Sequence, residues 1–228
     1  MLSGRPCCWW ESLLKKILGI ILIILSGSAW ADSACPAFYP GGKQIVVPHS
    51  VELCNSFYVV EFDTTLNAPI ISAERFRTTT AHISRSNDFH PDIRLDVSAR
   101  AERSDYARSG YDQGHLTPAG DATTPEEMHD SFDLANMTPQ WPTLNRQSWR
   151  LMEIEVRKLK PDYIVTGAIY SQKQKYIGQH HVPVPSGYWK IAATGNVVRA
   201  WYADNLNHAP TTETTLQNIE TKSGLMLH

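Results

Sequence analysis

Apolar and polar residues change rhythm several times along this chain, and each change marks an element. Phe57-Tyr58-Val59-Val60-Glu61-Phe62-Asp63 is β-branched and aromatic with partial alternation, which predicts a strand. Asn67-Ala68-Pro69 breaks it, and Ile70 to Arg77 predicts a second strand. Asp88-Phe89-His90-Pro91-Asp92 reads as a turn from its proline and acidic residues. Further on the period lengthens. Pro125 to about Asn136 predicts a short helix, with Thr124 as N-cap, Pro125 at the first helical position, and Glu126 and Glu127 in the first turn. Asn145 to Lys160 carries the best helical pattern. Trp149, Met152, Val156 and Leu159 form an apolar stripe at three- and four-residue steps, and Pro161 stops it.

Strands then return. Tyr163 to Tyr170 is apolar almost throughout, as a central buried strand would be. Gly187 to Thr194 and Asn196 to Ala203 flank Gly195-Asn196, a pair suited to a hairpin turn. Leu216 to Leu227 predicts a last short helix ended by Gly224, while Asp32 to His49, rich in Pro and Gly, predicts irregular chain. Strands and helices mix without a βαβ rhythm. The expected class is therefore α+β, a mainly antiparallel central sheet with helices packed on it.

A chain of 228 residues suffices for one domain with a sizeable core, and it holds no internal repeat. Its first thirty-one residues read as a secretory signal: Arg5, Lys15 and Lys16, a short apolar run from Ile17 to Leu25, then Ala29-Trp30-Ala31 as a cleavage site. The run is far short of the roughly 20 residues that span a bilayer. The expected mature domain is residues 32–228, periplasmic or secreted, with no stable membrane insertion after cleavage. Cys7 and Cys8 leave with the signal, and Cys35 and Cys54 remain as a pair that an oxidising compartment joins in a disulfide. Two cysteines alone do not make a structural zinc site, which needs four ligands.

Charge narrows the possible partners. The full chain has 21 Lys+Arg against 23 Asp+Glu, a net of -2. Removing the first thirty-one residues, with their three basic side chains and Glu11, leaves 18 basic against 22 acidic. Proteins that grip nucleic acid over a large footprint are usually basic. Any polyanion contact must therefore be a local cluster, and binding should be modest and salt-sensitive. Arg75, Arg77, Arg85, Arg94, Arg100 and Arg103 supply the densest basic stretch.

The candidate chemistry lies in Tyr111-Asp112-Gln113-Gly114-His115-Leu116-Thr117-Pro118-Ala119-Gly120-Asp121, where a histidine directly follows a glycine. Histidine exchanges protons near neutral pH, and the glycine lets backbone or a bulky polyanion approach it. Downstream come Asn136-Met137-Thr138-Pro139-Gln140, then Asn145-Arg146-Gln147-Ser148-Trp149, Glu153 and Arg157. With these segments in this order, from about Phe57 to the C-terminus, the sequence resembles the DNA/RNA non-specific endonucleases of the ββα-metal (His-Me finger) superfamily. It departs from them at Gln113, where that family usually has arginine.

The resemblance implies an antiparallel partner at Ile70 to Arg77 and a ββα-metal motif. It assigns His115 as general base, Asn145 as direct metal ligand, Glu153 as holder of metal-bound water, and Arg85 and Arg157 as phosphate contacts. Asn136 lies near the site, where it either positions His115 or the phosphate, or satisfies buried backbone. Asp112 shapes the loop and is not a ligand. Gln113 keeps donors toward phosphate but loses a full charge, which weakens substrate binding and leaves the hydrolytic groups intact. An oxygen-rich ligand set suits Mg²⁺, with Mn²⁺ as a substitute. On a helix Asn145, Trp149, Glu153 and Arg157 advance by about 40° per step, placing Asn145 in line with the apolar stripe and Glu153 and Arg157 along its edge. The plainer roles are an N-cap for Asn145 and an i,i+4 ion pair for Glu153 and Arg157.

The function expected is a secreted or periplasmic, Mg²⁺-dependent endonuclease hydrolysing phosphodiester bonds in DNA and/or RNA. A nucleic-acid-binding protein on the same fold with weakened catalysis, and a metal-dependent phosphodiesterase for a small substrate, are the alternatives.

Overall fold

A computed structural model describes residues 32–227. The segment read as a secretory signal, with Cys7 and Cys8, lies outside the described residues. After an irregular N-terminal stretch, β1 (Ser50–Cys54), β2 (Tyr58–Asp63) and β3 (Ala68–Arg75) form an antiparallel meander. A long excursion follows, holding α1 (Arg103–Tyr106), β4 (Asp112–His115), α2 (Pro125–Ser131), β5 (Met137–Gln140) and α3 (Arg150–Leu159). The chain then returns through β6 (Tyr163–Ile169), a small hairpin of β7 (Tyr176–Ile177) and β8 (Val182–Pro183), β9 (Gly187–Thr194), β10 (Val197–Asp204), β11 (Thr212–Thr214) and α4 (Leu216–Ser223). The main sheet has seven strands in the order β1-β2-β3-β6-β9-β10-β11, every neighbouring pair antiparallel. The architecture is α+β, as the mixed pattern predicts.

β3 and β6 are neighbours in the sheet, yet Phe76 to Asp162 separates them in sequence. The Phe76 amide donates to the Asp162 carbonyl at 3.0 Å and closes the neck of this excursion. Every candidate catalytic, metal and phosphate residue lies inside it. The sheet beneath is filled on both faces. Trp149, Met152 and Val156 pack with Ile164, Ala168, Tyr188 and Ala192 on one side. On the other, Val165, Trp189 and Ile191 meet Tyr39, Ile219 and Leu225. Adjacent residues of β6 and β9 thus point into different cores, which is why Tyr163 to Tyr170 reads as a continuous apolar run. At Gly167 a Cβ would stand 2.2 Å from the Trp189 indole, so the indole lies where any side chain would be.

Some boundaries differ from expectation. Pro69 does not break the chain but sits in β3, paired with Phe62 where the register shifts after Glu61. At such a bulge a missing N–H costs no ladder bond. The β9–β10 hairpin turns at Gly195, whose φ of 54° is left-handed. α2 stops at Ser131, short of Asn136, because the Ser131 carbonyl accepts from the Asn136 amide at 3.0 Å. Leu134–Asn136 is a separate 3₁₀ turn capped by Asp133, whose Oδ1 accepts from the Ala135 N–H at 2.8 Å. The first turn of the Asn145 helix, Leu144–Trp149, is a π turn. Its wider i→i+5 closure rotates Asn145 off the uniform step expected for a plain α-helix. Leu159, the last member of the apolar stripe, is 40 % exposed at the helix end.

Candidate active site

The first two sequence segments prove to be partners. β4 and β5 form a two-stranded antiparallel ribbon with Asp112 opposite Gln140, Gln113 opposite Pro139, Gly114 opposite Thr138 and His115 opposite Met137. The third segment follows as the π turn and α3, completing a strand–strand–helix unit. Gly114 is needed here for packing: a Cβ would lie 2.6 Å from the Cβ of Gln140. It is the Gln140 side chain that uses the space, not a polyanion approaching His115.

His115 is held from behind. Asn136 is fully buried, and its side chain accepts from the Thr117 N–H at 2.9 Å and donates to the carbonyls of Thr117 and Ser131 at 2.9 and 3.0 Å. Its own carbonyl accepts from the Leu116 N–H at 3.0 Å. All of these bonds go to backbone, so Asn136 sets the path of the chain as it leaves His115. In front, the His115 ring lies edge-on to Phe132 with centroids 5.1 Å apart, and Phe89 lies 6.1 Å away. Its Nε2 is buried and has no hydrogen-bond partner among the described residues. Burial, helped by the nearby charges of Arg85 and Lys190, pushes the imidazole pKa down to about 3. The ring is therefore neutral and keeps a free lone pair.

Arg85 shares this wall. Its guanidinium lies 4.8 Å from the centroid of the Phe132 ring, is steadied by Asn87 at 2.9 Å, and faces Glu153. Glu153 projects from α3 with 13 % of its side chain exposed, and its Oε1 is 3.9 Å from Lys190 Nζ. Burial raises its pKa, opposed first by Lys190. The i,i+4 ion pair with Arg157 does not form among the described residues. Arg157 instead donates to Asp121 at 2.9 Å and lines a pocket of about 180 Å³ with Arg77, Thr78, Thr79 and Gly120.

Asn145 is not an N-cap: that position belongs to Thr143. Its Nδ2 donates to Asp112 Oδ2 at 2.9 Å, and Arg146 clamps the same carboxylate at 2.8 and 2.5 Å. This holds the amide in one orientation and leaves Oδ1 with no partner among the described residues. A lone, oriented carbonyl oxygen suits a hard divalent cation that keeps most of its water. Gln113 lies on the His115 face of the ribbon by strand alternation, and its side chain makes no hydrogen bond among the described residues.

Sequence reasoning missed Lys190. It is 1 % exposed, donates to the Leu116 carbonyl at 3.3 Å and to Thr166, and faces Glu153. The signal was present as a lysine inside the apolar strand Gly187 to Thr194, since lysine is almost never fully buried unless paired. Tyr188 was missed too: its hydroxyl donates to the Pro139 carbonyl and accepts from Thr138, each at 3.0 Å, fastening β5 to the sheet.

A histidine on a β-ribbon, followed by a helix bearing an amide, a carboxylate and a guanidinium, defines a ββα-metal nuclease fold. Residues 43–227 match the DNA/RNA non-specific endonuclease family, and the chain belongs to it. It is 32 % identical over 168 residues to the mitochondrial endonuclease G of Bos taurus, covering 62 % of this chain and 56 % of that protein. It is 39 % identical over 113 residues to a nuclease of Nostoc, covering 47 % of this chain and 40 % of the other. The chain thus spans about half the length of these relatives. A crystal structure of an EndoG/EndoGI complex superposes with a TM-score of 0.70 at 25 % identity, over 81 % of this chain and 87 % of that one.

Proposed function

We propose that this chain is an Mg²⁺-dependent endonuclease, exported to the periplasm or beyond, that hydrolyses phosphodiester bonds in DNA and/or RNA with little base specificity. The observation that carries the reading is the half-buried His115 ring: burial and nearby positive charges keep it neutral, so a ring nitrogen is ready to take a proton from the attacking water. The free Asn145 Oδ1 fits Mg²⁺, and Mn²⁺ in its place. When bound, that ion polarises the phosphate and stabilises the leaving oxygen. Glu153, kept close by Lys190, orients water at the site. Arg85 and Arg157 supply local positive charge to phosphate in a chain that is acidic as a whole. Asn136 positions His115, and Gln113 offers uncharged donors beside it.

Export is supported by the Cys35–Cys54 disulfide, with Cα atoms 6.0 Å apart, because such bonds persist in oxidising compartments. Among the described residues no helix is long and apolar enough to cross a membrane. Incubating the purified protein with supercoiled plasmid, RNA and a chromogenic diester, with Mg²⁺ or EDTA, tests the function. Nicking of plasmid or RNA that EDTA abolishes is expected; hydrolysis of the small diester alone would overturn it.

A further inference from the structure

Asp88, His90 and His129 bring one ligand atom each to within 4.8 Å of the others. Asp88 and His90 belong to the turn that follows Arg85, and His129 to the last turn of α2. The backbone, not chance exposure, sets these side chains opposite one another. The His90 N–H donates to the Phe132 carbonyl at 3.2 Å, and the His90 carbonyl accepts from the Leu134 N–H at 2.8 Å. That bridge fixes the turn beside the end of α2. The two imidazole rings stack with centroids 4.3 Å apart, and His129 Nδ1 stands 3.3 Å from Asp88 Oδ2.

We propose that Asp88, His90 and His129 form a second metal site, for a borderline ion of the Zn²⁺ type, distinct from the hard-cation site at Asn145. Two imidazole nitrogens and one carboxylate oxygen select such an ion, whereas an all-oxygen set selects Mg²⁺. Tetrahedral ligands held about 2.0–2.1 Å from zinc stand about 3.3–3.4 Å apart, the separation already present between Asp88 and His129. To bring the ion into both ring planes, the stacked imidazoles swing apart about their Cβ–Cγ bonds. His90 then exchanges its contact with the Asp88 carbonyl, 2.8 Å away, for the metal. Asp88 and His129 are exposed, so the movement meets little packing. The fourth position is open to water.

The place gives the site a consequence. Phe89, between two of the ligands, packs edge-on against Phe132 at 4.8 Å, and both rings flank His115. An ion here fastens the turn that carries Phe89 and Arg85 to α2.

Calorimetric titration of the purified chain with ZnCl₂, in saturating Mg²⁺, tests this. One saturable zinc equivalent is expected, with a rise in Tm on zinc addition. His129→Ala and Asp88→Ala should each lose the equivalent and the rise, while Asn145→Ala keeps both. Absence of saturable binding, an undiminished equivalent in His129→Ala, or loss of the equivalent in Asn145→Ala would overturn the site. If His129→Ala fails to fold, Asp88→Ala decides it, because Asp88 is exposed and that change removes its ligand oxygens without touching α2.

Discussion

An imidazole in water titrates near 6.5, but His115 is held to about 3 by burial, then by Arg85 and Lys190. Neutral at any moderate pH, it needs no prior deprotonation to act as a base. His115→Ala should lower the nicking rate by about 10²–10⁴-fold with the circular dichroism spectrum unchanged. A near-wild-type rate in the folded variant would remove His115 from the mechanism. Arg85 makes a finer test. Its charge disfavours the imidazolium, so Arg85→Ala raises the His115 pKa. The protonated, inactive form then appears sooner on acidification, and the acid limb of kcat/KM should move to higher pH, whereas Arg85→Lys should hold it in place. Identical acid limbs in wild type and Arg85→Ala would show that the two groups do not interact. At this scale His115 and Asn145 were legible because their chemistry depends on residue type and local order. Lys190 showed only as a charge inside an apolar strand; its role was not legible, because its partners Leu116 and Glu153 approach it only through the fold, and the Leu116 contact spans 74 positions.

Among elements, the joint between the ribbon and the helix decides whether Asn145 is usable. Asp112 at the start of β4 accepts from both Asn145 and Arg146, so one carboxylate ties the strand to the π turn. Asp112→Ala frees the amide to rotate. The Mg²⁺ activation midpoint should then rise by about 10–100-fold, the usual effect of losing a group that orients a ligand. A Mg²⁺ titration that superimposes on wild type would mean that Asp112 does not orient the ligand. The long helix was readable from its stripe. The ribbon was not: Asp-Gln-Gly-His has no apolar side chain, and Met-Thr-Pro-Gln is only four residues long, holds a proline and is buried at every position. Their pairing joins Gly114 to Thr138, 24 residues apart, and depends on Tyr188 to fasten β5 and on Asn136 to hold the chain just beyond β4.

The whole molecule separates stability from chemistry. The Cys35–Cys54 bond staples the irregular N-terminal stretch to the edge strand β1, across a separation of 19 residues. Replacing both cysteines by serine should lower unfolding free energy by roughly 3 kcal/mol, following the entropy of a loop of that size. Nicking at a temperature where the variant stays folded should be unchanged, since the candidate base, metal and phosphate residues all lie in the excursion from Phe76 to Asp162. A denaturant midpoint equal to wild type would show that the staple adds nothing.

The α+β class, the central buried strand and the main helix were determined by sequence alone, which also named the candidate site residues. Hydrophobic period and residue chemistry are local properties, written in consecutive positions. Tertiary structure alone decided that the site is an excursion between adjacent strands. It also decided that Glu153 faces Lys190 while Arg157 turns to Asp121, and that burial and neighbouring cations favour the neutral form of His115. Each of those outcomes depends on burial and on charges brought together from distant positions, and no spacing along the chain encodes either.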